Sequence, residues 1–91
     1  MESYRLIVHG KVQGVFYRKF IAQKLRQMGV RGYVRNLPDG TVEVVVRATE
    51  EELEAIRQAL EEGSPLSEVE RIEMEYLGED DLLYDGFEIR Y

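Results

Sequence analysis

The stretch Tyr4-Arg5-Leu6-Ile7-Val8-His9-Gly10-Lys11-Val12-Gln13-Gly14-Val15-Phe16-Tyr17-Arg18 carries a strand into a helix through a glycine-containing loop. Tyr4, Leu6 and Val8 alternate with Arg5, Ile7 and His9, which predicts a strand over Tyr4–Val12 with one apolar face. Residues 13–17 form the loop. From Tyr17 or Arg18 to Met28 the spacing becomes helical, with Phe20, Ile21, Leu25 and Met28 on one face and Gly29 as a left-handed cap. Arg18 therefore falls in the first helical turn. A helix N-terminus carries partial positive charge and disfavours a cation there, yet its free amides attract anions. A bound phosphate would reconcile the two, since loop amides, helix dipole and guanidinium would converge on one dianion.

Outward from this segment the remaining elements follow in order. Arg31–Asn36 reads as a short strand and Leu37-Pro38-Asp39-Gly40 as a turn in which Pro presets one dihedral and Asp-Gly tolerates positive φ. Thr41–Arg47 returns antiparallel, with Val42, Val44 and Val46 inward and Thr41, Glu43 and Arg47 outward. Thr49 and Glu52 form a capping box ahead of a helix whose buried face holds Leu53, Ile56 and Leu60 and which Gly63 and Pro65 end. Glu68–Leu77 alternates Ile72, Met74 and Tyr76 against Arg71, Glu73 and Glu75. Gly78–Asp85 is an acidic loop, and Phe87, Ile89 and Tyr91 mark a short final strand.

This β-α-β-β-α-β order with a terminal strand predicts an α+β fold. It is the ferredoxin-like split β-α-β sandwich, an antiparallel sheet with two helices on one face, in a single domain over residues 1–91. The first and third strands would be central neighbours, with the second beside the third. Topology alone leaves open whether the end of the second strand reaches the loop after the first.

Composition narrows the chemistry. The 91 residues contain no cysteine and one histidine, which excludes a thiol nucleophile, a disulfide framework and Cys or multi-His metal sites. The net charge of −6 divides unevenly. Residues 1–48 hold nine Lys/Arg and three Asp/Glu, whereas residues 49–91 hold three and fifteen. An acidic total makes a poor general nucleic-acid binder, while the basic half can still present a local anion site. No long apolar run or basic-then-apolar leader is present, so no membrane partner and a cytoplasmic location are expected.

Arg18 either pairs with solvent and a carboxylate or binds a phosphate. Asn36, before the hairpin turn, is either a turn-tolerant residue or an amide that offers both a donor and an acceptor and orients a water without ionising. His9, the one conventional base, reads more simply as a strand residue. Asp39 fits turn chemistry. Asp80 and Asp81 lack the spacing of a hard-metal site. Tyr17, Tyr33 and Tyr76 could form a stacking platform for RNA, but the third strand lacks the aromatic pattern this would need.

The loop Gly10–Arg18 resembles the acylphosphatase signature G-x-V-Q-G-V-x-F-R. The segment Gly32–Glu43 resembles that family's G-W-V-x-N-x-x-D-G-x-V-E stretch. The chain departs from the pattern at Phe16, where many relatives have Gly, at Tyr17, where Phe is usual, and at Tyr33, where Trp is frequent. The resemblance implies a metal-independent, cofactor-free hydrolase of small acyl phosphates, with inorganic phosphate as product or inhibitor. It implies phosphate binding by Arg18 and by the amides of Gln13, Gly14, Val15, Phe16, Tyr17 and Arg18, and water orientation by Asn36. A monomer is expected, and the last strand is expected to bring the Tyr91 carboxylate near the site. A module that binds such an anion without turnover, and an RNA-binding domain, are the alternatives.

Overall fold

A computed structural model describes residues 1–78 and 85–91. The strands are β1 (Glu2–Lys11), β2 (Arg31–Asn36), β3 (Val42–Ala48), β4 (Glu68–Gly78) and β5 (Phe87–Arg90), with helices α1 (Tyr17–Gln27) and α2 (Glu50–Glu62). They form one sheet in the order β4-β1-β3-β2-β5. The central β1–β3 pair and β2 beside β3 are as the sequence predicts. The pairs β1–β3, β1–β4 and β2–β3 are antiparallel, but β5 runs parallel to β2. The sheet is thus mixed rather than wholly antiparallel. β5 is not joined to β2 by a hairpin, so no tight turn forces the antiparallel direction.

The core lies between the sheet and the two helices. Tyr4, Leu6 and Val8 of β1, Val34 of β2 and Val42, Val44 and Val46 of β3 meet Ile21 and Leu25 of α1 and Ile56 and Leu60 of α2. Each such side chain contributes about 1.5–3 kcal/mol by leaving water. α2 begins as expected: Thr49 Oγ1 accepts from Glu52 N–H at 3.2 Å, and Glu52 Oε1 accepts from Thr49 N–H at 3.1 Å.

Burial departs from expectation at Phe20, Thr41 and Glu43. Phe20 is 43% exposed, and Tyr17 fills the core position instead. α1 starts at Tyr17, so the buried stripe runs Tyr17, Ile21, Leu25 at i, i+4, i+8, and Phe20 falls at its edge. Thr41 and Glu43 are buried rather than outward. Glu43 lies on the central strand, where Arg5 of β1 (2.5 Å) and Arg35 of β2 (2.6 Å) close over its carboxylate from both sides. Met74 and Tyr76 are exposed because β4 is an edge strand. The Tyr76 ring leans on Tyr4, with centroids 5.6 Å apart. Asp80, Asp81 and most of the expected acidic loop lie outside the described residues.

Candidate active site

The loop between β1 and α1 is held by its own side chains. Val12 and Val15 are buried and plug it into the core. The Gln13 amide donates to the carbonyls of Leu37 (2.9 Å) and Thr41 (2.8 Å), which ties the loop to the hairpin that follows Asn36. Ser64, in the turn after α2, donates its hydroxyl to the Val15 carbonyl at 2.9 Å. Gly14 turns the chain with φ 73°, and Phe16 adopts the left-handed conformation at φ 62°, ψ 20°. Phe16 is the N-cap of α1 and makes no side-chain cap. A non-glycine residue held in this region costs on the order of 1 kcal/mol.

The first hydrogen bond of α1 runs from Phe20 N–H to the Phe16 carbonyl at 3.0 Å. The N–H groups of Tyr17, Arg18 and Lys19 therefore precede the helical ladder and are left for an outside acceptor. No acidic side chain occupies the first turn. The positive helix end faces a cleft of about 270 Å³ that Arg18 and Lys19 also line. The Arg18 guanidinium donates to the Arg90 carbonyl at 3.0 Å and sits 4.7 Å over the Tyr91 ring. β5 thus fixes the arginine from its far side.

Asn36 ends β2 opposite Val42 and lines the same cleft. The Gln13 tie resolves what topology left open: the hairpin after β2 is fastened to the loop after β1, so Asn36 and Arg18 share one cavity. The buried Oδ1 of Asn36 has no hydrogen-bond partner among the described residues, which leaves an acceptor available to a small ligand or a water.

Of the sequence-predicted loop residues, Gly14, Phe16, Tyr17 and Arg18 line the cleft. The side chains of Gln13 and Val15 turn away, one to the hairpin and one into the core, so only their backbone could contribute. Tyr91, whose carboxylate was expected near the site, lines the cleft and meets Arg18 through its ring. Lys19 and Ile89 also line it. A second cation in the first turn, directly after Arg18, was the available signal for Lys19. The structural role of the Gln13 side chain had no sequence signal.

His9 stands apart, on the sheet face away from the helices, beside the Glu73 carboxylate. Asp39 accepts from the backbone and hydroxyl of Thr41 at 3.0 and 2.5 Å, which is turn chemistry. Tyr17 is buried, Tyr33 lies under Arg90 and Tyr76 leans on Tyr4, so the three tyrosines make no shared platform. Among the described residues no group of three or more His, Asp or Glu is placed to hold a metal, and no helix is long and apolar enough to cross a membrane.

Fold and cleft together define a class: a split β-α-β protein in which a helix N-terminus, an arginine and an amide side chain line one small cleft. The acylphosphatase family model matches residues 4–89. The chain is 47% identical over 75 residues to an acylphosphatase of Cupriavidus pinatubonensis, covering 82% of this chain and 83% of the relative. It is 41% identical over 90 residues to one of Thiobacillus denitrificans, covering 99% and 98%. The crystal structure of acylphosphatase from Bacillus subtilis is similar at a TM-score of 0.88, with 34% identity and 100% of each chain covered. The chain belongs to the acylphosphatase family.

Proposed function

We propose that this protein hydrolyses the carboxyl-phosphate anhydride of small acyl phosphates, with Arg18 and the loop amides holding the phosphoryl group and Asn36 orienting the attacking water. The observation that carries the reading is one cleft lined by both Arg18 and Asn36, in which the Asn36 Oδ1 has no partner among the described residues.

The chemistry suits these groups. Phosphoryl transfer depends mainly on position and charge stabilisation. The N–H groups of the loop and first turn, with the Arg18 guanidinium, would stabilise charge on the equatorial oxygens. Asn36 would accept a hydrogen bond from water and aim its lone pair in line with phosphorus. The water oxygen bonds to phosphorus as the bond from phosphorus to the acyl oxygen breaks. The electron pair leaves with the carboxylate, and both protons of the water end on phosphate, which then exchanges protons with solvent. A carboxylate is a good leaving group, so no general acid is required, and His9 takes no part. Inorganic phosphate, as product, would occupy the same cradle and inhibit. The same reading has the protein act as a cytoplasmic monomer.

The test is hydrolysis of benzoyl phosphate in EDTA by the parent, Arg18→Ala and Asn36→Ala. Loss of a charge-assisted bond worth about 1.5–3 kcal/mol predicts that Arg18→Ala weakens phosphate inhibition by about 10- to 100-fold. Asn36→Ala lowers kcat by about 100-fold with little change in phosphate inhibition. An equal loss of phosphate affinity in both variants would contradict the separate roles.

A further inference from the structure

Phe16 is in the wrong place by every local criterion. Its backbone is left-handed at φ 62°, a region that glycine or asparagine occupies more readily than an aromatic residue. It is an N-cap that makes no cap bond, where Ser, Thr, Asp, Asn or Gly would serve better. Its ring is 73% exposed, so it gains little from burial. Strain that local structure does not repay is the kind of outlier from which a functional role is inferred.

The ring lines the cleft that holds Arg18 and Asn36. Tyr91, 98% exposed, and Ile89 line it too, from the β5 side. The lining therefore has two chemical characters. One is polar: Arg18, Lys19, the first-turn amides and the Asn36 carbonyl. The other is apolar: the exposed Phe16 and Tyr91 rings and Ile89, with the Tyr91 ring 4.7 Å from the Arg18 guanidinium. An acyl phosphate has the same two characters, a dianion and an acyl group. The cleft's volume is about 270 Å³, whereas an apolar cavity of about 150 Å³ already admits benzene.

We propose that Phe16, with Tyr91 on the β5 side, forms an acyl subsite that selects acyl phosphates bearing an apolar, above all aromatic, acyl group. The proposal rests on the acyl phosphate reading above. A planar acyl group would lie against the Phe16 ring, with Tyr91 and Ile89 completing the apolar lining, gaining offset or edge contact, while its phosphoryl group sits on the loop amides. Phe16 thereby acts on specificity and takes no part in the bond-breaking step.

The experiment compares kcat/KM for benzoyl phosphate and acetyl phosphate in the parent, Phe16→Asn, Phe16→Tyr and Tyr91→Ala. Asparagine tolerates the left-handed backbone and removes the apolar ring, whereas tyrosine keeps the ring. The parent is expected to favour benzoyl phosphate. The ratio is expected to fall about five- to tenfold in Phe16→Asn, less in Tyr91→Ala, and to persist in Phe16→Tyr. Inorganic phosphate inhibition, measured alongside, reads the state of the cradle, and the fall in ratio is expected to exceed any change there. A ratio that stays constant in Phe16→Asn overturns the proposal, as does a change that phosphate inhibition fully accounts for.

Phosphonate binding separates this inference from the hydrolytic reading. If the parent turns over neither substrate, hydrolysis fails, but the subsite is still read by calorimetric titration with phenylphosphonate and methylphosphonate. A preference of about fivefold or more for phenylphosphonate, lost in Phe16→Asn, upholds the subsite. Equal affinity overturns it.

Discussion

Tyr17 shows how one residue serves both core and site. Its ring is buried beneath α1, and its hydroxyl donates to the Leu60 carbonyl at 2.7 Å, joining the first turn of α1 to α2. Burial pushes the phenol pKa up, so the group stays neutral. Tyr17→Phe keeps the ring and strands the Leu60 carbonyl. It should destabilise the fold by about 1 kcal/mol, read as a lower urea midpoint, and an unchanged midpoint would contradict this role. At this scale the sequence was legible where the local signal was strong: Arg18 in a first helical turn and Asn36 before a Pro-Asp-Gly turn both stand at the cleft. Phe20 was misread because it lies one position, about 100° around the helix, from Ile21, at the edge of the stripe that Tyr17, Ile21 and Leu25 form. Glu43 was misread because alternation reports which face a side chain is on. It does not report whether neighbouring arginines cover that face.

The loop from β1 to α1 works as an element because the hairpin holds it. Gln13 makes two bonds across to that hairpin, and it spans the two segments that present the N-terminal amides of α1 and Asn36. Gln13→Ala should cost about 1–2 kcal/mol of stability and lower kcat for benzoyl phosphate, because Asn36 would no longer be held against the cradle. A variant with normal kcat would show that the hairpin needs no tether. α2 offers a contrast, since its start was readable from Thr49 and Glu52 alone. Thr49→Ala removes the capping box and should cost about 1 kcal/mol, a fall in Tm of about 4–8 °C for a domain of this size. Element order and hairpin pairing follow from local periodicity and turn chemistry, so they were legible. The parallel β2–β5 pair was not, because it joins segments far apart in sequence with no turn between them.

Over the whole molecule, the two oppositely charged halves of the chain meet on the sheet. Acidic β4 lies beside basic β1, where Glu75 approaches Arg5 at 3.7 Å and Glu73 stands by His9. Such exposed pairs add little each. The buried Glu43 matters more. Burial works to raise its pKa, but hydrogen bonds from Arg5, Arg35 and Tyr33 outweigh this and hold it below the ordinary glutamate value of 4.5. Thr41 likewise lowers Asp39 from 3.8. Both groups are easier to ionise folded than unfolded, so their stabilisation is complete above about pH 4.5 and is lost as pH falls through the depressed folded values. Urea midpoints should therefore decline below about pH 4.5, and Glu43→Gln should be less stable at pH 7 with a shallower acid decline. A variant that declines as steeply as the parent would remove Glu43 from this account.

The most direct test of the central claim is hydrolysis of benzoyl phosphate in ¹⁸O-labelled water with EDTA present, with both products read by mass spectrometry. The account predicts turnover that places one labelled oxygen in phosphate and none in benzoate, since the water held by Asn36 attacks phosphorus. Label in benzoate would place the attack at the acyl carbon, and a folded protein without turnover would make the cleft a binding site; either result contradicts the account.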